Sequence, residues 1–283
     1  MKFHNSTAAI FIPDGMEDLA AALSRTTHLA IAAHPDDTEI MAYHGISECF
    51  GRRELWMSSV VVTDGAGSPR TGIYGDYTDE AMRKVRMAEQ RKGACLGEYA
   101  AQIQLDYPSA RVKNSSETAL VDDLFAVLEK TLPEYVYLHN PADKHETHVA
   151  VLVRSIEALR RLAPEQAPRK VLGCEVWRDL DWLMDEDKVL LPVSAYPNLA
   201  ASLVGLFDSQ ISGGKRYDLA TAGRRLANAT YLESHSSDKE TALTFALDLT
   251  PVVTDQSLSL LEYTLRHVDR FRADVESHFK KLG

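Results

Sequence analysis

Two short runs hold most of the side chains in this sequence that could do chemistry, His34-Pro35-Asp36-Asp37 and His145-Glu146-Thr147-His148. Imidazole nitrogen and carboxylate oxygen both bind zinc, and a catalytic zinc site takes three such donors and leaves one position for water. His34, Asp37 and His148 supply a facial His₂Asp set of this kind. A metal held there lowers the pKa of its water to about 7, which brings hydroxide chemistry to neutral pH. Asp36, next to a ligand but outside the set, is the candidate general base. His145 is the candidate for stabilising an oxyanion or protonating a leaving amine. Asp143 or Glu146 would orient a histidine from behind. The chemistry this implies is metal-assisted hydrolysis.

Either run alone says little. A His-x-x-His pair recurs by chance, and an Asp-Asp pair after a strand is a good helix N-cap. Their positions make the combination specific. One follows the apolar run Leu29–Ala33 and the other the apolar run Tyr135–Leu138. Loops leaving two strands of one parallel sheet meet at its carboxyl edge, where open α/β sheets place their sites.

The rest of the chain alternates in the way such a sheet requires. Strand-like runs fall at 28–33, 54–63, 102–106, 134–138, 170–176 and 243–249. Helix-like runs fall at 38–49, 80–97, 117–131, 147–163, 195–211, 217–234 and about 256–281, with a short helix over Asp18–Leu23. Apolar strands interleaved with helices predict a Rossmann-like α/β fold, a mostly parallel sheet covered on both faces. The Gly- and Ser-rich segment 64–79 is long for a connection and reads as a functional loop. The stretch 177–197 reads as irregular structure near the site, and Gly213-Gly214-Lys215 as a turn.

At 283 residues, 45% hydrophobic and 25% charged, the chain has ordinary globular composition, and a single domain over 1–283 is the expectation. A net charge of −10 argues against a nucleic-acid partner while leaving room for a local pocket that takes an anion. Cys49, Cys95 and Cys174 form no C-x-x-C pair, so a thiolate zinc site is not indicated; Cys95 and Cys174 are expected as small buried hydrophobes. No signal peptide or membrane span is apparent, which points to the cytoplasm.

These runs, with Thr63-Asp64-Gly65, Arg86-x-x-Glu89 and Leu96-Gly97, resemble in type and order the PIG-L/LmbE-like family of de-N-acetylases. That family deacetylates N-acetylglucosaminyl phosphatidylinositol and the sugar conjugates of mycothiol and bacillithiol biosynthesis. The resemblance covers about 28–155. It implies one Zn²⁺ per chain on His34, Asp37 and His148, Asp36 as base and His145 as electrostatic or acid partner. It further implies Arg86 and Asp106 as contacts to an N-acetylglucosamine-type substrate, and a homo-oligomer. The second run departs from the family's usual His-Pro-Asp-His by placing Thr147 where an Asp is common. His235-Ser236 resembles a further family element in altered form and receives no role.

Two rival readings remain from sequence. One is an amidohydrolase acting on another acyl group or a non-sugar amide; the other is a catalytically silent metal- or sugar-binding protein. A nucleotide-binding fold is excluded by the absence of a Gly-x-Gly-x-x-Gly or P-loop run. The loop 64–79 and the region 177–215 are expected to choose the aglycone, with Trp177, Trp182, Tyr74 and Tyr77 as candidates for stacking on a ring.

Overall fold

A computed structural model describes all 283 residues. Its centre is one eight-stranded sheet: β1 (Ala9–Phe11), β2 (His28–Ala32), β3 (Met57–Thr63), β4 (Ala101–Tyr107), β5 (Tyr135–His139), β6 (Lys170–Cys174), β7 (Lys188–Pro192) and β8 (Leu243–Asp248). The spatial order is β1-β4-β3-β2-β5-β6-β8-β7. The five inner strands from β4 to β6 are parallel, while β1, β8 and β7 join antiparallel at the edges. The α/β class with a mostly parallel sheet is therefore as the sequence predicts.

Twelve helices surround the sheet. The first seven are α1 (Leu19–Ser24), α2 (Asp37–Met41), α3 (Tyr43–Cys49), α4 (Asp79–Leu96), α5 (Ser109–Val112), α6 (Ala119–Thr131) and α7 (Glu146–Leu159). The remaining five are α8 (Pro197–Gly205), α9 (Asp208–Ile211), α10 (Tyr217–Tyr231), α11 (Thr250–Thr254) and α12 (Leu260–Leu282). The strands show why both faces are covered. In β2, Leu29 and Ile31 join the cluster under α6 and α7, while Ala30 and Ala32 join the opposite cluster with α2, α3 and α8. Successive side chains point to opposite faces, so an apolar run buried on both sides has no polar alternation to show. Each fully buried Leu or Ile contributes about 1.5–3 kcal/mol.

The structure departs from the sequence reading in several places. The helix expected over 38–49 is two helices broken at Ala42 (φ −111°). The carbonyls of Glu39 and Ile40 at that break accept from Arg225 Nη2 at 2.9 and 3.1 Å. A guanidinium thus satisfies helix-terminal carbonyls that would otherwise be orphaned. The helix expected over 195–211 is likewise divided into α8 and α9. The stretch 177–197, expected to be irregular, contains β7. Cys174 is buried, but Cys95 is exposed near the end of α4, so its expected burial is wrong. A local apolar context does not say which face of a helix a residue occupies. No helix is long and apolar enough to cross a membrane.

Candidate active site

The chain order of the parallel strands decides where the two motifs meet. From β2 the chain steps to β3 and β4 on one side, then returns to place β5 on the other side of β2. The β2/β5 boundary is the switch point, where loops from the two strands diverge and leave a crevice at the carboxyl edge. His34, Asp36 and Asp37 follow β2; His145 and His148 follow β5.

His34 Nδ1, His148 Nε2 and Asp37 Oδ2 form a nearly equilateral triangle. The sides are 3.1 Å between the histidine nitrogens and 3.3 Å from each nitrogen to the carboxylate oxygen. Tetrahedral zinc with bonds near 2.0–2.2 Å sets its donors about 3.3–3.6 Å apart, so the three atoms fit the group with little adjustment. The donor set is chemically suited as well, since three lone-pair atoms converge on one point. His34, His145 and His148 also lie within ligand range of one another, as do Asp37, His139 and His148.

His139 was not singled out from sequence. It ends β5, fully buried, and stacks on His148 with ring centroids 3.9 Å apart. Its Nε2 accepts the Ala33 amide at 2.9 Å and lies 3.5 Å from Asp37 Oδ2. The available signal was a histidine closing a strand just before the motif loop, and a lone histidine there has an ordinary core reading.

Asp36 sits at φ +94°, outside the usual range for a residue with a side chain. Such a conformation costs on the order of 1–3 kcal/mol and persists only where neighbours impose it. Here the Asp36 amide donates to Gln90 Oε1 at 3.1 Å, and Gln90 Nε2 donates to Glu39 Oε1 at 2.9 Å. Tyr99 donates to the same Glu39 oxygen at 2.9 Å. Arg86, 2% exposed, reaches Asp36 Oδ2 at 3.2 Å and the Pro35 carbonyl. Gly65 belongs to the same packing: at φ +68°, a Cβ there would lie 3.3 Å from Arg86 and Pro35. The Thr-Asp-Gly and Arg-x-x-Glu runs are therefore parts of one support for Asp36. Glu89 Oε2 stands 3.9 Å from Arg86 Nη1, and the Glu89 carboxylate accepts from the Ser209 amide and hydroxyl, tying α4 to α9.

Burial pushes the Asp36 carboxyl up to about 7, with Arg86 opposing and Asp37 adding to the shift. Asp37, as deeply buried, is nonetheless held well below the usual carboxylate range by His148, His34 and His139. Burial lowers His34 and takes His145 down to about 4, leaving its ring neutral. At His148 burial pulls downward, but Asp37 and Asp143 outweigh it and raise the pKa. Two adjacent carboxyls are thus driven apart, one toward neutral pH and one to permanent charge. That division separates a proton acceptor from an anionic donor.

His145 caps α7, its Nδ1 accepting the Thr147 amide at 3.3 Å. In a neutral ring this places the proton on Nε2, a tautomer assigned from the donor geometry. Asp143 holds the second motif together. Its Oδ1 accepts the His145 amide at 2.9 Å, and its Oδ2 accepts the Trp177 amide at 3.1 Å. The same Oδ2 stands 3.5 Å from His148 Nδ1, an ion-pair distance rather than a hydrogen bond. Of the two acids proposed to orient a histidine, Asp143 faces one; Glu146 is exposed and pairs with Lys113 at 3.7 Å.

The cluster opens into a cavity of about 670 Å³ lined by Arg86, the loop residues Gly67–Pro69 and side chains from the C-terminal half. Asp106 is not among the lining residues. Arg83 closes on its carboxylate through Nε and Nη2, and the Asp106 backbone adopts φ +62°. The structure therefore places Asp106 in an ion pair with Arg83 and does not bring it together with the His/Asp cluster. Of the four aromatics, Trp177 lines the cavity with its ring 6.3 Å from that of His145. Tyr74 instead bonds Asp208, Tyr77 packs on Tyr74, and Trp182 packs against the core. His235 is exposed and outside the lining.

A Rossmann-like sheet with a His/Asp cluster at its switch point defines the class of molecule. Residues 29–159 match the model of the PIG-L family, described as GlcNAc-PI de-N-acetylase, and this segment belongs to that family. No curated protein matches the chain in sequence. Among solved structures, the 4-carboxy-2-hydroxymuconate hydratase GalB from Pseudomonas putida is 18% identical with a TM-score of 0.61, over 83% of this chain and 99% of that one. A conserved protein from Thermus thermophilus gives 17% and 0.62, over 82% and 98%. The N,N'-diacetylchitobiose deacetylase from Pyrococcus horikoshii gives 15% and 0.57, over 78% and 83%. At these identities the neighbours establish the fold.

Proposed function

We propose that this protein is a zinc-dependent hydrolase that removes an N-acetyl group from an N-acetylglucosamine-type sugar or conjugate. The observation that carries the proposal is the triangle of His34 Nδ1, Asp37 Oδ2 and His148 Nε2, completed by Asp36 held beside it in a strained conformation. These three residues would hold the metal, which supplies Lewis acidity and an acidified water. Asp36 takes the proton of the attacking water, and Arg86 keeps its carboxylate aimed. A base with its pKa near the working pH combines the right protonation state with useful proton affinity. The His145 Nε2–H donates to the acyl oxygen as negative charge develops there. The C–N bond then breaks, the proton passes to the amine, and acetate and the free amino sugar leave. Asp143 keeps His145 and His148 in register.

The direct test is acetate release from N-acetyl sugars by zinc-loaded protein, with the Asp36→Asn variant as control. Turnover that survives in this variant would remove the base assignment. Zinc content well below one per chain after loading would remove the ligand set and favour a silent binding protein. Release of propionyl or longer acids in preference to acetate would move the reading to another amidohydrolase. A second reaction, hydration of an unsaturated acid, is favoured by one observation: a hydratase shares the fold over almost its whole length. Such an activity would consume a conjugated acid without releasing an amine.

A further inference from the structure

In a chain of net charge −10, the wall of the cavity built by the C-terminal half is cationic. Lys215, Arg224 and Arg225 all line it. Lys215 is half-buried, with its Nζ 5.1 Å from the centre of the Trp177 ring. Arg224 donates to the Val176 carbonyl. Arg225 is 6% exposed, lies over the Tyr43 ring at 4.7 Å and spends Nη2 on the carbonyls of Glu39 and Ile40. Its Nε is buried without any hydrogen-bond partner.

Thus each cation is held by carbonyl oxygens or an aromatic ring, and none has a carboxylate at salt-bridge distance. Glu175, the acid on the same wall, feels the Arg224 charge through space but bonds elsewhere: its oxygens accept from the amides of Leu180 and Phe245 and from Asn228 Nδ2. Arg86, the other deeply buried cation of the cavity, is by contrast paired with Asp36. Partly desolvated cations without a directly paired carboxylate are costly unless a ligand supplies one. Capping of α2 accounts for Arg225 Nη2, but not for the free Nε or for the two further cations beside it.

We propose that Lys215, Arg224 and Arg225 recognise an anionic group on the substrate, so that the acylated amine carries a carboxylate or a phosphate. The inference rests on the hydrolase reading for the placement of the acyl group at the His/Asp cluster. The two ends of the pocket are connected. Arg225 contacts the helix that begins at Asp37, and Lys215 covers the Trp177 ring that faces His145. One compact molecule therefore reaches both. A carboxylate and a phosphate both suit guanidinium forks, with Lys215 as a point charge.

The test is calorimetric binding to zinc-loaded Asp36→Asn protein, which does not consume its ligands. The probes are N-acetylglucosamine, N-acetylglucosamine 6-phosphate and N-acetylmuramic acid, the last bearing a carboxylate. Binding of at least one anionic probe tenfold or more tighter than the neutral sugar is expected. In the added presence of Lys215→Gln and Arg224→Gln that advantage should shrink to less than threefold, with zinc content unchanged. Arg225 is left in place because its loss would uncap α2. A gain confined to the phosphate or to the carboxylate probe assigns the group. Equal affinities for all three, no measurable binding of either anionic probe, or an advantage that survives the charge removal overturns the proposal. If wild-type protein releases acetate from none of the three while the anion preference stands, the N-acetyl reading fails and the anion-binding wall remains.

Discussion

The segment 29–159 and the chain beyond it build the same cavity by different means. The first places its side chains at the ends of β2 and β5, adjacent parallel strands. Their separation is set by the sheet, where neighbouring strands lie about 4.7–4.9 Å apart. Donor atoms at 3.1–3.3 Å follow from short loops on a rigid base. The second segment places Lys215, Arg224 and Arg225 on α10 and the turn before it, against antiparallel β8. Under the proposed function, reaction chemistry belongs to the first region and choice of substrate to the second.

The sharpest break of that division is in the first region. His148→Ala should reduce zinc from about one per chain to near zero, measured by elemental analysis after dialysis. Asp36→Asn should keep the zinc and lower kcat by about 10²–10⁴-fold, the usual contribution of a positioned acid or base. If both variants lose metal alike, Asp36 is a ligand and the triangle is the wrong set.

Arg86 separates support from substrate contact. Removing one partner of a buried ion pair costs about 3–5 kcal/mol, so Arg86→Ala should lower unfolding stability by that order in denaturant titration. A surface or purely substrate-facing arginine would leave stability unchanged. His139→Asn should weaken zinc by about 10–100-fold in a chelator competition, the usual effect of disturbing a residue behind the ligands. An unchanged affinity would return His139 to the core. In the second region, Trp177→Ala should raise KM several-fold and leave zinc content alone. A loss of kcat without a change in KM would break the proposed division.

What could be read from the sequence follows the same boundary. The run His34–Asp37 and the pair His145/His148 were legible because residue type, spacing and position after a strand agree. The fold class was legible from apolar strands alternating with helices. His139 was not, because it belongs to the strand and its neighbours in space come from elsewhere in the chain. Gln90 and Arg225 were not, because their role lies in hydrogen bonds to Asp36 and to the end of α2. The break at Ala42 has no proline or glycine to announce it; a distant guanidinium takes up the freed carbonyls. Asp106 looked available because Arg83, its partner from the neighbouring helix, could not be placed beside it from sequence. The direction of β8 was equally hidden, since strand composition does not encode parallel or antiparallel pairing.

Thr147 offers the smallest predicted effect and a fine test of how the second motif is held. It is 2% exposed at the start of α7, where the family commonly has an acid. In this structure Asp143 already faces His148, bonds the His145 amide and reaches across to the Trp177 amide. The anchoring charge therefore comes from the loop before His145. A second carboxylate at 147 would add charge to a buried region that already holds Asp36, Asp37 and Asp143, and like charges in a buried site raise one another's pKa. Thr147→Asp should accordingly change kcat by no more than a few-fold, whereas Asp143→Asn should cost roughly 10–100-fold in zinc affinity or activity. The double variant discriminates further. If Thr147→Asp restores what Asp143→Asn removes, the two positions are interchangeable sources of one charge. If it does not, Asp143 acts through its hold on Trp177, and the reacting groups depend on the C-terminal wall more closely than the division between the two regions allows.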